Sequence, residues 1–312
     1  MKQLFKAIPP ILFVFALIQN QYLGAQALSS STKKVKSSSQ STVKPTETLF
    51  EAYYKILADS KHIGYAIQKY EYKPQSKQFQ ALQFMRIESS GSQTTESLIA
   101  RADESFQPLS FEYTQLSDGK STLIDAQFKQ QKMTGQITKE GVVKKFSKDI
   151  PKGSFLSSFL VYLMMKSPSG LSSQTKFQYQ AIAEEEGEVY KGEALVHKEE
   201  RWKELRVLKV VNTFKGNKFV SLLTDRGEIV STLAPDVKVG TEIVAKKEEA
   251  VSEFNFNEKV IRQLFGEVPE GKQNIFSKRA ENSGPPAPGT KQEGLLPGQG
   301  FVIKPQGPEE SK

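Results

Sequence analysis

The chain has 312 residues, of which 43 are Lys or Arg and 35 are Asp or Glu, and it contains no cysteine. The lack of cysteine excludes disulfides, thiolate metal sites and a cysteine nucleophile, so burial has to stabilise any fold. The net charge of +8 does not indicate a nucleic-acid partner, because six lysines within the first 45 residues leave only +2 for the rest of the chain.

The first 27 residues have the pattern of a cleavable secretory signal. Lys2 and Lys6 precede an apolar segment at 7–18, and Ala25-Gln26-Ala27 supplies the small residues of a cleavage site. We therefore predict cleavage after Ala27 and a mature protein that is soluble in the periplasm. The alternative, an uncleaved membrane anchor, is disfavoured because the apolar segment is short and contains Pro9-Pro10.

Residues 28–45 are predicted to form a flexible linker, because Ser, Thr, Lys and Gln dominate and offer too little apolar surface to offset ordering entropy. From residue 46 onward, short alternating segments recur between turn residues, which is typical of antiparallel strands. Asp118-Gly119 is the clearest hairpin signal. The spacing predicts roughly a dozen strands in one domain over 46–266.

The most apolar run after the leader lies at 154–166 and is predicted to form a helix. Apolar residues follow helical spacing from Phe155, Ser154 is suited to cap the helix, and Pro168 sets its end. About 12 residues are too few to cross a bilayer, which takes about 20, so protein has to cover this helix. Because so many strands must curl, split or close, we predict a mainly β fold in which a strongly curved antiparallel sheet, a half-barrel, wraps around the apolar helix.

A second, short helix is predicted over 257–265. Asn257 is suited to its N-cap, apolar residues form one stripe, and Gly266 stands where a C-terminal cap belongs. Residues 267–312 are rich in Pro, Gly, Gln, Glu and Lys and are predicted to be a disordered tail, in which Phe276 and the stretch 300–303 are candidates for a short docking motif.

Three short motifs resemble a family of uncharacterised bacterial periplasmic domains, which is similar to the half-barrel superfamily of the lipoprotein carriers LolA and LolB. The motifs are Ser60-Lys61-His62-Ile63-Gly64-Tyr65, Phe106-Gln107-Pro108-Leu109-Ser110-Phe111-Glu112-Tyr113 and Ile150-Pro151-Lys152-Gly153. The resemblance covers about 50–244. It implies a curved sheet around one or more helices, with a cleft that holds acyl chains in the better-known members, and it transfers no ligand residue.

The sequence gives little support for a catalytic or metal-binding motif. His62 and His197 lack the Asp or Glu spacing of a triad or metal site, so packing is the better interpretation. The Ser-x-x-Lys segments at 117–120 and 173–176 lie in turns rather than at a helix start. Residues 184–188, Glu-Glu-Glu-Gly-Glu, lack the ligand spacing of a calcium loop and are interpreted as a solvated acidic turn. We expect a non-enzymatic protein without a cofactor or bound metal.

The function expected from this pattern is binding of a lipid or another apolar envelope component between sheet and helix. Aromatic residues that alternate along the strands and the apolar helix supply such a surface, and methionine adapts to irregular partners. The candidate lining residues are Met133, Phe159, Leu160, Leu163, Met164 and Met165. The alternative is a protein–protein interaction scaffold of the envelope, with a solid core, whose linker or tail reaches its partner.

Overall fold

The computed structural model describes residues 45–89 and 91–276. The predicted signal peptide, nearly all of the predicted linker and residues 277–312 of the predicted tail lie outside these ranges. Within them the chain is mainly β, with a single sheet of fifteen strands and three short α-helices.

The strands are β1 (Glu47–Ala58), β2 (Lys61–Lys73), β3 (Gln78–Ser89), β4 (Ser92–Asp103), β5 (Pro108–Ser117), β6 (Lys120–Lys129), β7 (Lys132–Lys139), β8 (Val142–Asp149), β9 (Phe155–Leu156), β10 (Lys176–Ala183), β11 (Glu188–Trp202), β12 (Leu205–Phe214), β13 (Asn217–Leu223), β14 (Ile229–Ala234) and β15 (Val239–Val244). The helices are α1 (Leu160–Lys166), α2 (Lys247–Val251) and α3 (Glu258–Phe265).

The order of strands across the sheet is β8-β7-β6-β5-β4-β3-β2-β1-β15-β14-β13-β12-β11-β10-β9. Two antiparallel meanders therefore meet where β1 pairs with β15, and a short parallel pair of β9 and β10 ends the second meander. Since β8 and β9 are the two edges and do not pair with each other, the sheet is not closed.

Chain connectivity forces this sheet to curl. Strands lie about 4.8 Å apart, so the edges of a flat fifteen-stranded sheet would be about 67 Å apart. The chain nevertheless passes from the end of β8 at Asp149 to the start of β9 at Phe155, and six extended residues span at most about 22 Å. The sheet therefore bends until its edges are within that reach.

The hairpins follow local turn chemistry. Asp118 and Gly119, with φ of 47° and 82°, form the tight turn between β5 and β6 that the sequence predicts. The extra strand β7 is not evident from sequence because Gly135 interrupts its pattern. That glycine is required by a close approach, since a Cβ there would lie 2.1 Å from the carbonyl oxygen of Asp125 on β6.

The sheet has two differently covered faces. The face that contacts α1, called here the α1 face, carries the larger core. Its buried residues include Phe50, Ala52, Tyr54, Ile56, Ala66, Tyr70, Ala81, Met85, Leu98, Phe111, Tyr113, Ile124 and Met133. On the opposite face, Tyr65, Ile67 and Phe84 of the central strands pack with Ile261 and Phe265 of α3. The central strands are thus covered on both sides.

The first helix begins later than predicted. Phe155 and Leu156 pair with β10, a 3-10 turn (Ser157–Phe159) follows, and α1 starts at Leu160. The hydroxyl of Ser154 is buried without a hydrogen-bond partner and therefore caps nothing. Because the strand pairing holds Leu156 in an extended conformation, the helix cannot extend back to Ser154.

The C-terminal part both matches and departs from expectation. α3 (Glu258–Phe265) lies where a helix is predicted, with Asn257 accepting a hydrogen bond from Val260 N–H and Gly266 in the left-handed cap conformation.

Residues 267–276, however, are not a free tail. Asn274 is buried and its side-chain amide donates to the backbone oxygens of Glu51 and Gly271. These hydrogen bonds supply the order that composition alone does not predict.

Candidate functional site

The six candidate cleft residues do not all meet at one cavity. Leu160 and Met164 line a cavity of about 50 Å³ beneath α1. Phe159 is buried, Leu163 and Met165 are half-buried, and none of them lines that cavity. Met133, on β7, is fully buried and does not line it either.

The cavity beneath α1 has a partly polar wall. The side-chain nitrogens of Gln68 and Asn212 are buried there without a hydrogen-bond partner. A polar cavity of this volume suits a few buried waters, each of which needs about 10–15 Å³ and two or more polar partners. It has no room for an acyl chain unless α1 moves.

A second site is centred on the acidic turn, residues 184–187, between β10 and β11. The sequence interpretation of this turn as solvated is wrong: Glu184 and Glu185 are both buried. The reason is long-range packing, because Gly187 lies against Phe111, Ile124 and Phe146 of β5, β6 and β8. The side-chain ammonium of Lys148 on β8 also donates to the Gly187 carbonyl oxygen over 3.1 Å. The turn therefore joins the two halves of the curled sheet.

Glu184 has a structural role. It is fully buried and accepts hydrogen bonds from the Ser157 hydroxyl (2.6 Å) and the Ser158 backbone N–H (3.1 Å). These donors belong to the 3-10 turn at the start of the helical segment, where a carboxylate satisfies N–H groups that have no partner in the helix. Burial raises the pKa of Glu184, and the hydrogen bonds only partly oppose that shift.

Glu185 and Glu186 share one lysine. The ammonium of Lys215 donates to Glu185 Oε1 (2.5 Å) and to Glu186 Oε1 (2.6 Å). Burial raises the pKa of Glu185 to about 7, with Lys215 opposing the shift. Burial also acts on Glu186, but the hydrogen bonds from Lys215 and the Tyr190 hydroxyl outweigh it and hold that pKa below its usual value. The turn thus has one ionised carboxylate and one that titrates near neutrality.

A third buried carboxyl faces the turn from β4. Strand register places Glu96, Gln115, Thr122 and Lys139 in one row across β4 to β7. The amide of Gln115 donates to Glu96 Oε1 over 2.8 Å, and the Tyr113 hydroxyl is hydrogen-bonded to the same carboxyl group. Burial raises the pKa of Glu96 well above its usual range, and the hydrogen bonds with Gln115 and Tyr113 offset only part of this. A protonated Glu96 is itself a hydrogen-bond donor.

These groups border a groove of about 610 Å³, called here the acidic groove. Its lining residues are Tyr113, Gln115, Ser117, Asp118, Lys120, Ser121, Thr122, Ile124, Ile137, Lys139, Glu140, Glu185, Glu186 and Glu188. The volume falls within the range of about 300–1,000 Å³ that small-molecule sites occupy. Ile124 and Ile137 provide apolar contact, and the remaining groups are mostly polar.

Two buried carboxyl oxygens of the acidic groove, Glu185 Oε2 and Glu140 Oε1, have no hydrogen-bond partner. Leaving such atoms unpaired costs about 1–3 kcal/mol each, so a ligand that donates hydrogen bonds to them would gain binding free energy.

Within the described ranges, no group of three or more His, Asp or Glu side chains is arranged to hold a metal ion. His62 packs edge-on against Phe254 with 4.8 Å between ring centroids, which agrees with the packing interpretation.

No helix in the part of the chain that the structure describes combines the length and the apolar character needed to cross a membrane.

Comparisons with known proteins find two solved structures that are distantly similar to the chain. No family model matches the chain. No curated protein matches it either. One solved structure, a β-barrel-like protein of the domain of unknown function DUF1849 from Brucella abortus, is 15% identical, with a TM-score of 0.47 over 62% of this chain and 94% of that one. Another, a DUF1089 family protein from Pseudomonas aeruginosa, is 11% identical, with a TM-score of 0.32 over 66% and 98% of the two chains.

The sequence contains one signal for the acidic groove that the pattern analysis missed. On β5, Tyr113, Gln115 and Ser117 alternate with outward residues and so share the α1 face with Phe111. Polar residues that continue a core-facing row indicate either a strand end or a polar site. The acidic turn itself gave the opposite indication, because glutamates in tandem are usually solvated.

Proposed function

We propose that this chain is a non-enzymatic binding protein that takes a small polar ligand in the acidic groove. One observation carries the proposal: a groove of ligand size has buried oxygen atoms along it that lack hydrogen-bond partners. In this proposal the curled sheet wraps α1 as a half-barrel similar to LolA and LolB. The groove is then the open mouth of that half-barrel.

The proposal includes export to the periplasm. The basic, apolar and small-residue pattern of residues 1–27 supports secretion with cleavage after Ala27. Because the chain has no cysteine, the oxidising conditions of the periplasm can neither form disulfides in it nor oxidise a thiol.

An apolar ligand beneath α1 receives less support than a polar ligand in the groove. Leu160 and Met164 offer apolar surface, but the cavity there measures about 50 Å³ and presents unpaired amides. Accommodating a lipid would require displacing α1. The 3-10 turn that precedes α1 is held by the hydrogen bond from the Tyr70 hydroxyl to the Ser158 carbonyl oxygen and by ring packing of Phe159 against Tyr70.

A thermal-shift screen tests the two sites against each other. The panel contains organic cations, zwitterions, anions, sugars and a fatty acid, and the proteins are the parent, Thr122→Trp and Thr134→Trp. Thr122 lines the groove, whereas Thr134 is exposed on the neighbouring strand β7, so the second variant is a matched control. A ligand at 100 times its Kd stabilises the folded state by about 2.7 kcal/mol.

We expect one class of polar ligand to raise the melting temperature of the parent and of Thr134→Trp, but not of Thr122→Trp. If no polar class behaves in this way, the groove proposal is wrong. Stabilisation of all three proteins by the fatty acid would instead support the lipid hypothesis.

A second candidate function, the envelope interaction scaffold, is favoured by the edge strand β8. This strand pairs on one side alone, and Val142 and Val143 are 72% and 54% exposed. An unpaired edge is a template for strand addition by a partner. A pull-down with the parent that loses its partner in a Val143→Pro variant of unchanged melting temperature would support this function. An identical set of partners would contradict it.

A further inference from the structure

We propose that the ligand of the acidic groove is an organic cation with several N–H donors, of the alkyl polyamine class. This inference rests on the proposed function and specifies the chemistry of the ligand. It follows from which atoms of the groove are unpaired, from the charges around it and from its shape.

The unpaired atoms are both able to accept hydrogen bonds. Glu185 Oε2 and Glu140 Oε1 are carboxyl oxygens, which accept hydrogen bonds when the group is ionised. The side chain of Glu185 has no exposed surface, so water is largely excluded from it. A protonated amine carries donors and no acceptor, and therefore complements this set.

The charges around the groove point the same way. Its lining contains five carboxyl groups, on Asp118, Glu140, Glu185, Glu186 and Glu188, against the two ammonium groups of Lys120 and Lys139. Lys215 pairs with Glu185 and Glu186, and Lys148 pairs with Glu188, from outside the lining. An anionic ligand would have to approach several carboxylates at short range, which disfavours it.

Non-specific attraction does not explain such binding. The chain after residue 45 carries a formal charge of +2, so long-range electrostatics does not attract a polycation to it. Affinity for an amine therefore has to come from a local site. The apolar walls of Ile124 and Ile137 suit the methylene segments of an alkyl amine.

Binding of a cation should also release a proton from Glu185, because the pKa of this carboxyl is about 7 and a neighbouring positive charge favours its ionised form. The charged and titratable groups around it are Lys215 from the β12–β13 turn, Glu96 from β4, Tyr113 from β5, Lys139 from β7, Lys148 from β8, Tyr190 from β11, and Glu184 and Glu186 in its own turn. Of the three lysines, Lys215 is the one hydrogen-bonded to Glu185, and it is already shared with Glu186.

Isothermal titration calorimetry with spermidine and putrescine tests the inference. Titrations at pH 6.5 and 0.15 M salt, in two buffers of different ionisation enthalpy, measure affinity and proton release together. The proteins are the parent, Glu185→Gln and the control Glu193→Gln, which removes an exposed carboxyl far from the groove on β11.

We expect the parent and Glu193→Gln to bind at least one amine equally well and to release protons. Glu185→Gln should bind it about 10- to 100-fold more weakly, as the loss of one charge-assisted hydrogen bond predicts, and without proton release. A Glu185→Gln protein of unchanged affinity, or absence of binding by both amines at millimolar concentration, would overturn the inference.

The two proposals fail separately. If an anion or a sugar stabilises the parent but not Thr122→Trp while neither amine binds, the ligand class is wrong and the groove remains the binding site. If nothing in the panel distinguishes the parent from Thr122→Trp, both proposals are wrong.

Discussion

Replacing Glu185 by Gln should change how the stability of the protein depends on pH. Gln has nearly the same shape as a protonated Glu and never ionises. The side chain of Glu185 is completely buried, and Lys215 keeps its other partner, Glu186, in the variant. The substitution therefore removes one titration from the folded state and leaves the packing of the acidic turn nearly unchanged.

The sign and size of the effect follow from proton linkage. The pKa of Glu185 is about 7 in the folded protein, against an ordinary value of 4.5. Between these values the folded state binds more protons than the unfolded state, so the free energy of unfolding falls as pH rises. Each pKa unit corresponds to about 1.36 kcal/mol. The parent should therefore lose about 3 kcal/mol relative to Glu185→Gln between pH 4.5 and pH 8.

Urea unfolding at several pH values measures this difference. The fluorescence of Trp202, the one tryptophan of the chain, reports unfolding because its ring contacts Phe276 in the last described segment. Glu193→Gln is the control, because hydrogen bonding to Lys176 lowers the pKa of Glu193 instead of raising it, so this exposed carboxyl does not share the effect expected of Glu185. A difference between parent and Glu185→Gln that stays constant from pH 4.5 to pH 8 would refute the reasoning.

Three further substitutions test the packing. Leu160→Asp places a charge in the core contact of α1 and should abolish cooperative thermal unfolding, since the loss exceeds the 2–5 kcal/mol typical of Leu→Ala. Tyr70→Phe leaves the Ser158 carbonyl oxygen without its 2.8 Å donor and should cost about 1–3 kcal/mol in urea, whereas Tyr72→Phe, at an exposed hydroxyl, should leave the midpoint unchanged. Asn274→Ala should speed amide hydrogen exchange in 269–276 while the central strands stay protected.

Each of these expectations has a contradicting outcome. A parent-like melting curve of Leu160→Asp would show that α1 is not part of the core. Equal midpoints for Tyr70→Phe and Tyr72→Phe would show that the hydrogen bond at the start of the helical segment does not stabilise the protein. Unchanged exchange in Asn274→Ala would mean that other contacts hold 269–276 against β1.

The sequence by itself determined the class of fold and much of its local structure. Alternation along the strands, the Asp118-Gly119 turn and the cap of α3 at Asn257 depend on interactions within a few residues, so they can be recognised without the tertiary fold. The mainly β character follows from the same local rules. Local rules do not predict β7. Gly135 is required there by close contact with the neighbouring strand β6, and not by the conformational preference of its own strand.

The tertiary structure alone decided where the polar site lies. Glu185 is buried because its turn meets strands β5 to β8, which are about 40 to 75 residues earlier in the chain, and no local pattern specifies that meeting. The same is true of the helix start, which strand pairing with β10 moves to Leu160, and of Asn274, whose partner on β1 is more than 200 residues away. Burial is a property of contacts between distant segments, whereas composition and periodicity report on one segment at a time.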